Sequence, residues 1–364
     1  MRILYAHLYD NRFRMGGAGQ VAFDLACSMK ERFRDEVACI VNSGDLAESL
    51  RKRNIPASII YLSKLRCLET VSHLAGTIGS FQPDIIHSHH RYTTFLLELL
   101  FRKRGRPVLH TEHVLRHDKK GLFRYGDFAT AVSGAVQKNL ISYYGVPENR
   151  VRTISNAVSL RAPDPAKVAQ LRRQYADPGA KTLVLCVGRL DQQKGHIYLI
   201  HAVERLPAAY RRRLKILLAG DGKLESALKR LVSRKRLSQP FVFLGHSEDV
   251  PELLALCDFL AQPSLYEGMP LTILEAFSMK KTVIASDIPG IREYVAPAST
   301  GLLVPPRDGT SLAKALVRFM DHPEEVNTMG QAAFRWYEKN ISFESMISKY
   351  HQLYEELLSG RAGK

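Results

Sequence analysis

Twice along its 364 residues this chain alternates short apolar runs with longer amphipathic stretches. That alternation builds parallel sheets flanked by helices. The first series places strands at 3–7, 37–41, 58–62, 84–89, 107–113, 128–133 and 151–155. Helices are expected between them, including 17–33 and a helix over 133–144 opened by Ser133 as its cap. The second series places strands at 182–187, 214–219, 241–244, 259–263, 282–285 and 301–304, closed by helices 310–320, 324–339 and 342–358. Residues 161–180 are rich in Pro, Asp and Gly and read as a connection between the two series. The expected organisation is an α/β chain of two Rossmann-like, doubly wound domains, 1–165 and 181–341, with 166–180 as linker. Each is large enough for a full core. Sheets of this kind take ligands at the carboxyl ends of their strands, here in a central cleft between the domains.

Bulk properties narrow the function classes. A chain that is 45% hydrophobic and 24% charged is globular in composition. No apolar run reaches bilayer length, and the N-terminal Met-Arg-Ile-Leu-Tyr-Ala-His reads as a first strand instead of a signal-peptide core. Five singly placed cysteines suggest reduced thiols and a cytoplasmic setting. The net charge of +16 is spread over both halves, with clusters at Arg51-Lys-Arg53, Arg102-Lys-Arg104, Lys119-Lys120, Arg211-Arg-Arg213 and Arg234-Lys-Arg236. Such a surface attracts anionic lipid heads or phosphorylated acceptors, and the inner face of the plasma membrane is an expected partner. No specific nucleic-acid signature accompanies the charge, so the membrane surface ranks above RNA or DNA.

The densest chemistry lies in Glu267-Gly-Met-Pro-Leu-Thr-Ile-Leu-Glu275. A strand leads in and a helix starting near Pro270 leads out, since Pro is favoured at the first helical position. The free amides of that helix start form an anion site between the two carboxylates. A nucleoside diphosphate sugar suits it, with Glu275 on the ribose hydroxyls and Glu267 on those of the sugar. Glu275 lies too far along the helix to serve merely as a dipole-favouring charge. Arg189 and Lys194 follow the 182–187 strand, where two cations can neutralise a diphosphate. No Asp-x-Asp metal motif stands in a suitable loop, so no metal or other cofactor is expected. Gly16-Gly17-Ala-Gly19 follows the loop 9–15 and opens the first helix, where glycine allows close backbone approach to a phosphate or sugar. This is not the dinucleotide fingerprint, and a nicotinamide enzyme is not expected. Histidines crowd two strand ends: His87, His89 and His90, then His110, His113 and His117. Structural roles are the default for most of them, and zinc binding lacks an evident carboxylate or Cys partner.

The Glu-x7-Glu segment resembles that of retaining GT-B glycosyltransferases, in particular glycosyltransferase family 4, also called glycosyl transferases group 1. Four further stretches are similar to the same family: Val187-Gly-Arg-Leu-Asp-Gln-Gln-Lys-Gly195, Leu218-Ala-Gly-Asp-Gly222, Ser264-Leu-Tyr-Glu-Gly268 and Thr300-Gly-Leu-Leu-Val-Pro-Pro306. The resemblance implies a GT-B fold whose final helix crosses back onto the first domain. It implies metal-independent, retaining sugar transfer by front-face attack of the acceptor hydroxyl, although double displacement also fits the residues. It implies that Gly268, Met269 and the amides of Leu271 and Thr272 hold the donor, that His246 meets the nucleobase, and that His113 touches the donor sugar and the reacting centre. His110 is a rival for that last place, and Arg116 and Asp118 could meet the acceptor. Asn156 matches a family Asn-Gly-Val in which Ala157 replaces the glycine. The acceptor class is a glycan or lipid-linked hydroxyl in polysaccharide, lipopolysaccharide or glycolipid synthesis. The alternatives are a GT-B-fold epimerase, phosphorylase or hydrolase, or a non-catalytic membrane-associated binding protein.

Overall fold

The computed structural model describes residues 1–8, 16–42, 44–60, 67–101, 105–118, 120–159, 161–175, 181–360 and 362. The loop 9–15, residues 61–62, the Arg102–Arg104 cluster, Lys119 and residues 176–180 lie outside them. The chain divides into two compact units: Met1–Asn156 with Phe343–Lys364, and Ala157–Ser342.

Unit 1 is a parallel sheet of seven strands: β1 (Arg2–His7), β2 (Glu36–Val41), β3 (Ala57–Ile59), β4 (Ile85–Ser88), β5 (Val108–Glu112), β6 (Phe128–Ala131) and β7 (Val151–Thr153). Their order is β3-β2-β1-β4-β5-β6-β7. All seven expected strands are present; β1 and β2 begin one residue earlier than expected, and β4 to β7 end one or two residues sooner. Most strands are buried along nearly their whole length, as strands covered on both faces must be. The helix Gly134–Ser142 begins as expected, with the Ser133 hydroxyl accepting from the Val136 amide at 3.3 Å.

The helix Phe343–Leu358 belongs to unit 1 and buries Met346, Ile347, Tyr350, Leu353 and Tyr354, three to four residues apart along one face. Two tyrosines close a polar seam that crosses the central strands. Tyr354 shares a hydrogen bond with the Tyr5 hydroxyl at 2.9 Å and another with His87 Nδ1 at 2.7 Å. His87 Nε2 meets the Thr111 hydroxyl at 2.6 Å, and Thr111 meets Thr130 at 2.6 Å. Tyr350 lies within 3.3 Å of Thr111 and 3.4 Å of Thr130. Burial holds the His87 imidazole neutral, pushing its pKa well below the usual value. His351 stacks on Phe33 at 3.7 Å between ring centres, and Arg152 pairs with Glu356 at 2.8 Å.

Unit 2 is a six-stranded parallel sheet: β8 (Thr182–Val187), β9 (Leu214–Ala219), β10 (Phe241–Gly245), β11 (Phe259–Gln262), β12 (Val283–Ser286) and β13 (Gly301–Val304). The order is β10-β9-β8-β11-β12-β13. In each sheet the order of strands reverses once, between β1 and β4 and between β8 and β11.

The connection expected at 166–180 is largely a helix, Pro165–Tyr175, which packs on the helix Val250–Leu256 within unit 2. Asp164-Pro165 marks a helix start, with the Asp164 carboxylate accepting from the Ala166 amide at 2.9 Å. The buried Glu252 carboxylate accepts from both arms of Arg161, at 2.8 Å for Nη2, and from the Asp164 amide at 2.8 Å. That fork fastens the segment, and the change of unit falls earlier, at Asn156 and Ala157, both buried. Among the described residues, no helix is long and apolar enough to cross a membrane.

Replacing Tyr354 by Phe strips His87 Nδ1 and the Tyr5 hydroxyl of a buried partner, which costs about 1–3 kcal/mol. The expected result is a lower urea midpoint with secondary structure retained; an unchanged midpoint denies the seam its stabilising role.

Candidate functional site

Strands β8 and β11 are neighbours, with Leu260 opposite Leu185, so their carboxyl-end loops emerge side by side. Gly195 locks those loops together. Its φ of 65° is left-handed, and a Cβ there would lie 2.0 Å from the Pro263 carbonyl oxygen; only glycine fits. The Leu265 amide then donates to the Gln193 carbonyl at 2.8 Å.

Across this seam Lys194 Nζ donates to Glu267 Oε1 at 2.7 Å. The same oxygen accepts from the Ser264 hydroxyl at 2.7 Å and Gln262 Nε2 at 3.2 Å, while Gln193 Nε2 reaches Oε2 at 3.3 Å. Gln262 is held in turn, accepting from the Thr272 hydroxyl at 3.1 Å and donating to Ser264 at 2.8 Å. Arg189 is about one-third exposed and contacts Asp191 at 3.1 Å and Gln193 Oε1 at 3.3 Å. The sequence assigns Lys194 to the diphosphate and Glu267 to sugar hydroxyls as separate groups. Here Lys194 and Glu267 bond directly, so the charge presented at that point is a neutralised pair with N–H groups still to spare. Gln193, Gln262 and Ser264 were not singled out in the sequence. Their signal was a buried polar side chain at the end of an apolar strand, as in Phe259-Leu-Ala-Gln262.

Pro270 is the N-cap of the helix Leu271–Ser278, not its first helical residue, and the helix has no side-chain cap. Its first turn therefore presents the amides of Leu271 and Thr272 as donors. Gly268 and Met269 are buried beside it, and Gly290 packs so closely that a Cβ would lie 2.2 Å from the Glu267 carbonyl oxygen. Glu275 follows one turn into the helix. Burial pushes its carboxyl up to about 7, against the opposing pull of the Lys194 ammonium. His246 is exposed just past β10.

In unit 1 the histidines sort by position. His110 is buried, with Nδ1 on the Thr94 hydroxyl at 2.8 Å and Nε2 on Glu112 at 3.5 Å, so both its nitrogens have partners. Glu112 is also held by Arg91 and by the Val114 amide at 3.2 Å. Burial raises its carboxyl, but His110 and Arg91 outweigh that and hold it down to about 2. Arg91 reaches Asp118 at 3.1 Å, and Arg116 is half-buried nearby in the chain. His117 Nε2 accepts from Asn139 at 3.0 Å. His113 stands half-buried one residue past β5, its Nε2 at 3.0 Å from His89 Nδ1. Burial and the neighbouring His7 push His113 down to about 3, so it is a neutral imidazole at physiological pH. Gly16 and Gly17 are exposed at an uncapped helix start. Gly16 has an ordinary φ of −95°, and a Cβ on it would meet nothing within 4 Å. Its backbone conformation therefore does not by itself require glycine. Among the described residues, no group of three His, Cys, Asp or Glu side chains is arranged to hold a metal ion.

Residues 15–162 match the family model Glycosyltransferase Family 4, and residues 167–336 match Glycosyl transferases group 1. The chain belongs to this glycosyltransferase family. Alpha-D-kanosaminyltransferase of Streptomyces kanamyceticus is 30% identical over 194 residues, a match spanning 52% of this chain and 50% of that protein. UDP-Gal:alpha-D-GlcNAc-diphosphoundecaprenol alpha-1,3-galactosyltransferase of Escherichia coli is 26% identical over 337 residues, 86% of each chain. Among solved structures, Anabaena HepE in complex with UDP-glucose superposes with a TM-score of 0.84 at 22% identity, covering 99% of this chain and 100% of that one. The two Rossmann-like units of this glycosyltransferase are those of the GT-B fold.

The raised Glu275 carboxyl has a consequence for stability. A carboxyl whose pKa rises on folding, from 4.5 to about 7, contributes stability that is full below 4.5 and lost as pH climbs through 7. The ligand-free glycosyltransferase should lose about 1–3 kcal/mol over that window relative to Glu275→Gln. Parallel pH–stability curves for the two proteins deny the burial its effect.

Proposed function

We propose that this glycosyltransferase moves a sugar, with retention at the anomeric carbon and without a metal ion, from a nucleoside diphosphate sugar to a hydroxyl of a glycan or lipid-linked acceptor. The observation that carries the reading is the Lys194–Glu267 contact beside the uncapped start of Leu271–Ser278. It sets a cation, a fixed acid and free amides within one pair of adjacent strand-end loops. A donor diphosphate takes the amides of Leu271 and Thr272 together with Arg189 and the remaining N–H groups of Lys194. These donors are in place before reaction and stabilise charge as it develops on the leaving diphosphate. Glu275 accepts from the ribose hydroxyls, Gly268 and Met269 wall the site, and His246 lies toward the base.

Glu267 supports front-face attack over double displacement. Four donors already occupy its oxygens, which fixes its orientation and lowers its nucleophilicity. It therefore positions a sugar hydroxyl while the departing phosphate oxygen takes the acceptor proton. His113, neutral, contributes a hydrogen bond to the sugar and not a positive charge. The UDP-galactose and lipid diphosphate named for the E. coli relative, and the UDP-glucose bound by HepE, favour a UDP-sugar and a lipid-linked acceptor. A net charge of +16 suits work at the anionic inner face of a membrane.

A panel of UDP-, GDP- and ADP-sugars, screened by thermal shift and then by hydrolysis and transfer, identifies the donor. Turnover with the best donor should survive chelator, and a complete, metal-reversible loss rejects metal independence. Arg189→Ala and Lys194→Ala should each cost about 2–4 kcal/mol in transition-state stabilisation, as one removed oxyanion donor does. Near-normal kcat/KM in either variant rejects that residue's diphosphate role.

A further inference from the structure

The reading of His113 leaves open which of its ring nitrogens carries the proton, and the surrounding rings answer that. We infer that His89 is a positioning residue whose Nδ1–H donates to His113 Nε2 and thereby fixes His113 as the Nδ1–H tautomer, a hydrogen-bond donor toward the sugar.

The geometry begins at His87, whose two nitrogens are tied to Tyr354 at 2.7 Å and Thr111 at 2.6 Å, so this ring cannot turn. His89 lies on it with 4.1 Å between ring centres and is bounded by Tyr5 at 6.0 Å and His7 at 6.5 Å. His113 stacks alongside His89 at 5.2 Å and 25°. His89 is 3% exposed, so its own orientation is set by packing on every side.

The direction of the hydrogen bond follows from the far nitrogen. His89 Nε2 is buried with no partner among the described residues. A buried N–H without an acceptor is the rarer and costlier vacancy, and a bare lone pair the more tolerable one. The His89 proton therefore sits on Nδ1, facing His113 Nε2 across 3.0 Å. His113 Nε2 then accepts, and its single proton stands on Nδ1. The bond one nitrogen makes determines what the other can offer a ligand. Burial pushes both rings below the usual histidine pKa, which keeps this one-proton arrangement in force at neutral pH. The outcome for chemistry is specific: His113 donates to a sugar oxygen and does not serve as a general base.

This inference rests on the placing of His113 at the donor sugar, and the experiment separates the two. In ligand-free protein labelled with ¹⁵N-histidine, the His113 resonances should show protonated Nδ1 and bare Nε2. An Nε2–H tautomer overturns the inference while leaving the role of His113 intact. With the donor found by the panel, His89→Leu should lose about 10–100-fold in kcat, the range typical of partners that orient a functional histidine, with the donor KM little changed. His89→Asn keeps an N–H near the Nδ1 position and should recover most of that loss. Full kcat in His89→Leu beside a disabled His113→Ala overturns the inference alone. Full kcat in both variants removes His113 from the site, and the inference falls with it.

Discussion

The bond between Lys194 and Glu267 ties together two loops of unit 2 that are 73 residues apart in the chain. A partly buried ion pair of this kind loses hydration on both sides, and its attraction alone often fails to offset that loss. Here the difference is made up by neutral donors: Ser264, Gln262 and Gln193 bind the same carboxylate. Those donors fix the orientation of the Glu267 carboxylate from several sides. Lys194 thus braces the two loops, while Arg189, about one-third exposed, contacts Asp191 beside it.

Unit 1 reaches its functional surface by the opposite electrostatic route. His7, His87, His89 and His113 are all held neutral by burial, so direction and tautomer carry the information in place of charge. The tyrosines of Phe343–Leu358 supply the first link in that chain of contacts by clamping His87. A helix at the far end of the sequence therefore sets the floor on which the strand-end histidines stand.

How much of this could be read beforehand depends on the range of the interaction. Most of the thirteen strands were visible because a strand covered on both faces is largely apolar, which is a local property. Glu267, Arg189 and Lys194 were visible because charged residues after strand ends stand out against such runs, and Glu275 because it lies eight positions from Glu267. The helix Pro165–Tyr175 was misread because Asp164-Pro165 signals both a turn and a helix start, and only its packing on Val250–Leu256 decides between them. Gln193 and Gln262 carry no charge, and their value lies in partners up to 74 residues away. The occupation of His110 by Thr94 and Glu112 was hidden for the same reason, since it depends on where the helix Arg91–Phe101 comes to rest.

Topology explains why these particular side chains meet at all. In a parallel sheet every connection returns over one face, and a crevice opens at the carboxyl edge only where successive connections leave in opposite directions. Each unit has one such place, between β1 and β4 and between β8 and β11. His7 ends β1 and His89 follows β4; Lys194 follows β8 and Glu267 follows β11. Both polar sets therefore stand at the strand reversal of their own sheet, where loops can flank a ligand without breaking a hydrogen-bonded ladder. The pairing of β1 with β4 and of β8 with β11 skips strands in the chain, so the sites are products of strand order as much as of residue type. A substitution that left every one of these residues in place but shifted the register of β11 against β8 would separate Lys194 from Glu267.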